Sequence, residues 1–208
     1  MKIDQPIRQL CLLFIISASL LLQSCGETED SSPDDNPQES IGTLIMQSEA
    51  FSEFASLISI ADREIPQGEM GILQMLNETS DNTEITVFAP SNEVFELLAE
   101  QWSTPNFQAT VADVIDEFTH SGQPAKTRDF VLGHIFKSQE RFARSNFETD
   151  LALQSEKGIR WRMIASENAT SGFGFVLENG SPNDNPYLIF ETDVLAGSNG
   201  IVHAALVN

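Results

Sequence analysis

An enzyme built from this chain would draw on His134, His203 and a carboxylate such as Asp193. Imidazole exchanges protons near neutral pH, and a carboxylate beside it can orient the ring. The two histidines admit two roles. They could share a binding or proton-handling site, or each could pack on a strand and satisfy backbone groups near a sheet end. Neither has a His or Cys at metal-ligand spacing, which favours the second role. The third histidine, His120, reads as an exposed residue at a helix end. The sequence contains no G-x-S-x-G, no H-E-x-x-H and no glycine-rich phosphate loop.

Carboxylates are plentiful, with 31 Asp and Glu against 11 Lys and Arg. Asp81, Glu84, Asp184, Glu191 and Asp193 could supply oxygen ligands to calcium. They lack EF-hand spacing, and Asn183-Asp184-Asn185 reads as a turn. The expectation is therefore no metal and no cofactor. A net charge of −20 opposes binding to a phosphate backbone, so nucleic acid is excluded as a partner. The same field repels an anionic membrane surface, so membrane attachment needs a separate anchor.

The N-terminus offers one. Lys2 and Arg8 flank an apolar run over 10–22 that suits the core of a signal peptide. It ends in Leu22-Gln23-Ser24-Cys25, which resembles a bacterial lipobox, where cleavage precedes a Cys that becomes acylated. Gln23 departs from the small residue usual there, and an ordinary secretory peptide or an uncleaved anchor is the competing reading. The expected layout is a signal peptide over 1–24, a lipidated Cys25 and an acidic tether over 25–41, and a domain over 42–208. Cys11 leaves with the peptide, so the mature domain has no thiol for a disulfide, a zinc cluster or catalysis. Residues 26–40 hold no apolar side chain and are expected to be disordered. They read as a spacer, or as a signal for surface export.

The domain's elements follow from periodicity. Leu44, Ile45, Phe51, Phe54, Ala55 and Ile58 recur at helical spacing. Residues 70–76 predict a short helix. Ile85, Val87 and Phe88 predict a strand that Pro90 ends, and Ser91 is placed to cap a helix from Asn92. Another helix is expected from about Pro105, with Val111, Val114, Ile115 and Phe118 as its apolar stripe. A further one, over 127–132, hands over to a strand at 134–137. Short apolar runs at 151–153, 160–164, 173–177, 187–190 and 201–207 predict strands. Helices early and strands late indicate α+β. Phe173 and Phe175 are expected in the core, and Trp102 and Trp161 as exposed contacts. Asn199-Gly200 tolerates left-handed torsions and is expected to make a tight corner before the last strand.

Two stretches resemble one family. Residues 86–95, TVFAPSNEVF, are similar to the first signature of the fasciclin (FAS1) domain, with Phe88, Pro90, Ser91 and Asn92 as its markers. Residues 191–206, ETDVLAGSNGIVHAAL, are similar to the second, marked by Asn199 and Gly200. His134 and His203 fall at the family's two recurrent His positions, and Gly133 stands where the family often has Tyr. The resemblance implies a wedge-shaped β-sandwich with flanking helices, and the strands of the two signatures side by side. It implies that Asp193 fixes the turn around Ser198-Asn199-Gly200. It also implies a non-enzymatic adhesion module that binds a protein or glycan, with membrane contact through the lipid anchor alone. A place as an accessory subunit of an outer-membrane nutrient-uptake complex is the alternative, and an enzyme using His134 and His203 is another.

Overall fold

In a computed structural model, the described residues are 39–78, 83–178 and 187–207. The chain divides into two units, 1–36 and 37–208, and every described residue belongs to the second. The apolar run, Cys25 and residues 26–38 lie outside the described residues.

The fold is α+β. Helices come first: α1 (Ile41–Gln47), α2 (Ser52–Ala61), α3 (Ile72–Asn77), then strand β1 (Glu84–Ala89) and helix α4 (Asn92–Trp102). Helices α5 (Val111–Thr119) and α6 (Pro124–Gly133) lead into β2 (Ile135–Ser138). Strands β3 (Ala152–Gln154), β4 (Arg160–Ala165), β5 (Phe173–Leu177), β6 (Tyr187–Gly197) and β7 (Gly200–Val207) complete it.

The strands form one mixed sheet in the order β2-β1-β7-β6-β5-β4-β3. Its β1–β7 pair is parallel, with Val87 opposite Val202 and Phe88 opposite His203. The two edges approach each other. Phe136 of β2 bridges Ser155 just past β3, and the Glu156 N–H donates to the Ile135 carbonyl at 2.8 Å. A sheet that brings its edges together in this way is barrel-like, where the resemblance implied a wedge-shaped sandwich.

Alternation along the strands creates two cores. Val87 and Ala89 of β1, with Val202 and Ala204 of β7, join α1–α6 in the larger core, around Phe54, Phe95 and Leu57. Phe88 and Ala205 point the other way, into a smaller aromatic core with Phe136, Phe147, Trp161 and Phe175. Phe88 meets Phe136 and Phe175 edge to face, at centroid distances of 5.4 and 4.5 Å. This is the arrangement that ring quadrupoles favour.

Several boundaries move, for local reasons. Ser40 caps α1, accepting the Thr43 N–H, and Ile41 is fully buried, so the folded domain begins before residue 42. Helix α5 starts at Val111 rather than near Pro105. Thr110 and Asp113 form a reciprocal capping box there, which satisfies two terminal N–H groups. Ser91 occupies the N-cap position of α4 without a side-chain capping bond. Asn92 carries the contacts instead, accepting from the Glu53 N–H and donating to the Glu49 carbonyl and Ser52 hydroxyl. Among the described residues no helix is long and apolar enough to cross a membrane.

Candidate functional site

The site grows from an irregularity in β6. Its register against β7 shifts between Glu191, opposite Ala204, and Leu195, opposite Val202. Three residues of β6 therefore face the single residue His203, and Asp193 takes a positive φ of 56° to accommodate the bulge. Bulges re-aim side chains and backbone groups. Here the bulge turns the Asp193 N–H onto His203 Nδ1 at 3.0 Å. An N–H can only donate, so Nδ1 is the unprotonated nitrogen. Nε2–H then donates to the Phe142 carbonyl at 2.7 Å.

His203 is thus fixed in one neutral tautomer and is wholly buried. It stacks on Phe88 at 4.9 Å and contacts Phe147 at 5.1 Å. Burial pulls its pKa down to about 4, against smaller upward effects of the Phe142 carbonyl and the Asp193 carboxylate. That carboxylate is 3.6 Å from Nδ1 and accepts the Arg144 N–H at 3.1 Å.

These bonds converge on residues 141–147, which cross the sheet as a strap. Arg141 pairs with Glu84 at 3.0 Å and donates to the Gly197 carbonyl at 3.2 Å. The Phe142 N–H donates to the buried Thr86 hydroxyl at 3.3 Å. Arg144 donates to the Ser171 carbonyl, and its guanidinium lies 4.7 Å from the centroid of Phe173. The strap has no apolar periodicity, so the sequence carries no signal for it.

His134 is not brought to this site. It follows α6 on the helical side, where its Nδ1–H donates to the Phe130 carbonyl at 2.9 Å. Its ring packs against Phe130 at 4.6 Å and Phe54 at 5.9 Å. Burial pulls its pKa to about 4 as well, opposed in part by the Phe130 carbonyl. The structure therefore joins Asp193 to His203 and leaves His134 among different neighbours. His120 is an exposed helix cap with a φ of 48°.

The turn after β6 is held differently from the expectation. Asp193 does not bond the 198–200 backbone; Asn199 holds it. Its side chain accepts the Ile41 N–H at 2.8 Å and donates to the Leu76 and Glu78 carbonyls at 2.9 and 2.7 Å. Neither Asn199 nor Gly200 has a positive φ. Glycine is needed at 200 for close approach, since a Cβ there would sit far inside contact distance of the Ile85 carbonyl oxygen. Trp161, expected as an exposed contact, is buried in the aromatic core. Trp102 remains partly exposed, and Phe175 is buried as expected.

Of the calcium candidates, Asp81 and Asp184 lie outside the described residues, and Glu84 is engaged by Arg141. Among the described residues no group of three or more His, Cys, Asp or Glu is gathered to hold a metal. An ionic cluster around the buried Arg128 has no counterpart in the sequence pattern. Arg128 pairs with Glu69 at 3.0 Å and Asp62 at 3.5 Å, while Asp62 accepts the Ile72 and Leu73 N–H groups that open α3. Among the described residues the surface also carries at least two concavities. A groove of about 340 Å³ lies beside the start of α4 and the bulge, with Phe51, Val94 and Leu97 against Glu93 and Glu191. A smaller cavity of about 110 Å³ lies between the end of α6 and the aromatic core.

No protein-family model and no curated protein matches the chain. Solved structures do. The FAS1 domain pair of the insect cell adhesion molecule Fasciclin I superposes with a TM-score of 0.58 at 11% identity. The match covers 81% of this chain and 50% of that one, so this chain spans about half the length of that structure. At that identity the likeness speaks for architecture alone: the domain has a FAS1-like α+β fold.

Proposed function

We propose that this chain is a lipid-anchored binding module of a bacterial cell envelope, an outer-membrane lipoprotein that presents its FAS1-like domain to a protein or glycan. The observation that carries this reading is the fold, shared with a domain pair from a cell adhesion molecule. The use made of the chemical groups supports it. Both ring nitrogens of His203 and the Asp193 carboxylate bond backbone groups of the strap and the bulge, which makes them scaffolding. In this reading the signal peptide is removed before Cys25, the acyl chains hold the protein at the membrane, and the acidic segment gives the domain reach. The groove beside α4 adds a concave surface on which a partner could rest.

Mass spectrometry of the mature N-terminus tests the anchor. An acylated Cys25 is expected, with loss of detergent partitioning in Cys25→Ser; an unmodified wild-type N-terminus would contradict it. Affinity capture from solubilised envelope tests the binding role. Reproducible retention of a protein or glycan is expected, and a large integral membrane partner would shift the reading to an accessory subunit of an uptake complex.

A further inference from the structure

We infer that the cavity at the end of α6 is a binding site for one uncharged ring, of the size of a phenyl group. Its walls are Phe88, Phe136, Phe175 and Trp161 from the sheet and Phe130 from α6, with Gly133 at the side where α6 ends. The space is about 110 Å³. An enclosed apolar cavity of about 150 Å³ admits benzene, and this pocket is of the same order but open to solvent on one side. The pocket indents the aromatic core from the surface, and its ring-lined walls offer edges and faces to an aromatic guest.

The polar groups on the lining define what is refused. Asp129 is ion-paired with Lys157, so the cavity does not present a lone carboxylate to a cation. His134 is neutral in the fold and commits its Nδ1–H to the Phe130 carbonyl. A sugar would bring several hydroxyls to a wall made mainly of hydrocarbon, and each unpaired one is costly to bury. An anion would meet the same wall in a protein of net charge −20. A neutral ring loses least on entry.

Gly133 makes the opening. A Cβ placed there would meet only Ile159 Cδ1, at 3.7 Å, an ordinary contact. A larger side chain at 133 therefore has space to grow into, and it would take the volume that the ring needs. Ala205 lines the cavity from β7 and offers a second place to fill it. Ring binding in this cavity requires neither the anchor nor any envelope partner.

The test is thermal unfolding of the full chain in lipid nanodiscs, with benzene in one series and N-acetylphenylalaninamide in another. Wild type, Gly133→Leu and Ala205→Val are compared, so that partitioning of the probe into lipid affects all three equally. The wild-type midpoint should rise by ~2–5 °C as benzene saturates the site, while the filled variants should not respond. A matching rise with the blocked phenylalanine would assign the ring to a partner's side chain. A rise with benzene alone would assign it to a free small molecule. No wild-type rise, or an equal rise in all three proteins, overturns the inference. Should neither variant fold, ¹⁹F NMR of fluorobenzene with wild type decides: saturation at one site per chain supports the site, and a non-saturating signal overturns it.

Discussion

His203 Nδ1 accepts from the Asp193 backbone N–H, at 3.0 Å, rather than donating to the Asp193 carboxylate. In a general-base pair the carboxylate would accept a hydrogen bond from the ring N–H. Here the ring accepts from the backbone, and the carboxylate holds the Arg144 N–H of the strap. The pair locks the β6 bulge to residues 141–147. His203→Leu keeps much of the ring's bulk but leaves the Asp193 N–H and the Phe142 carbonyl without partners. It should cost about 2–4 kcal/mol, read from urea unfolding.

The same burial predicts a pH dependence. The unfolded chain takes up a proton on each histidine near 6.5, whereas folded His134 and His203 do so only near 4. Their contribution is fully present above pH 6.5 and is lost progressively as pH falls to about 4. At full extent the loss is about 3 kcal/mol per histidine. Unfolding at pH 7 and pH 4.5 measures it. In His203→Leu the gap between the two pH values should narrow, and an unchanged gap would mean that His203 is protonated equally in both states.

The two signature segments form one piece of core, although more than a hundred residues of sequence separate them. Val87 and Val202 sit opposite each other on parallel strands, and both are fully buried. Val87→Ala should cost about 1–3 kcal/mol. Val202→Asp buries a charge without a partner and should cost more, to the point of preventing folding. Wild-type stability for Val202→Asp would place residue 202 at the surface.

At the start of β7, Gly200→Ala should destabilise by about 1–3 kcal/mol or more, because the added carbon meets the Ile85 carbonyl oxygen of a central strand. Asn199→Ala removes three hydrogen bonds that join this turn to Ile41, Leu76 and Glu78. It should lower the thermal midpoint and free the start of α1, seen as faster amide exchange at Ile41.

Much of this architecture was legible because it is local. β-branched and aromatic residues marked β1, a short apolar run marked β7, helical spacing marked α2, and Pro90 ended β1 where the sequence indicated. What escaped depends on contacts between distant segments. A bulge in β6 has no periodic signature, so Asp193 was expected at the turn that Asn199 holds. The strap at 141–147 carries no apolar repeat. Trp161 was expected at the surface, and only the neighbouring strands show that it closes the aromatic core. Thr110 and Asp113 did carry a local capping signal, which Pro105 obscured. The cavity beside Gly133 is a property of packing, and no single residue announces it.

The central claim is that the domain works by presenting a binding surface from a lipid anchor. Chemical cross-linking of the full chain in intact cells, followed by mass spectrometry, tests it most directly. The account predicts a discrete and reproducible cross-linked partner for wild type, sharply reduced when Cys25→Ser removes the anchor. Absence of any such partner for the acylated wild-type chain, or equal yield without the anchor, would contradict it.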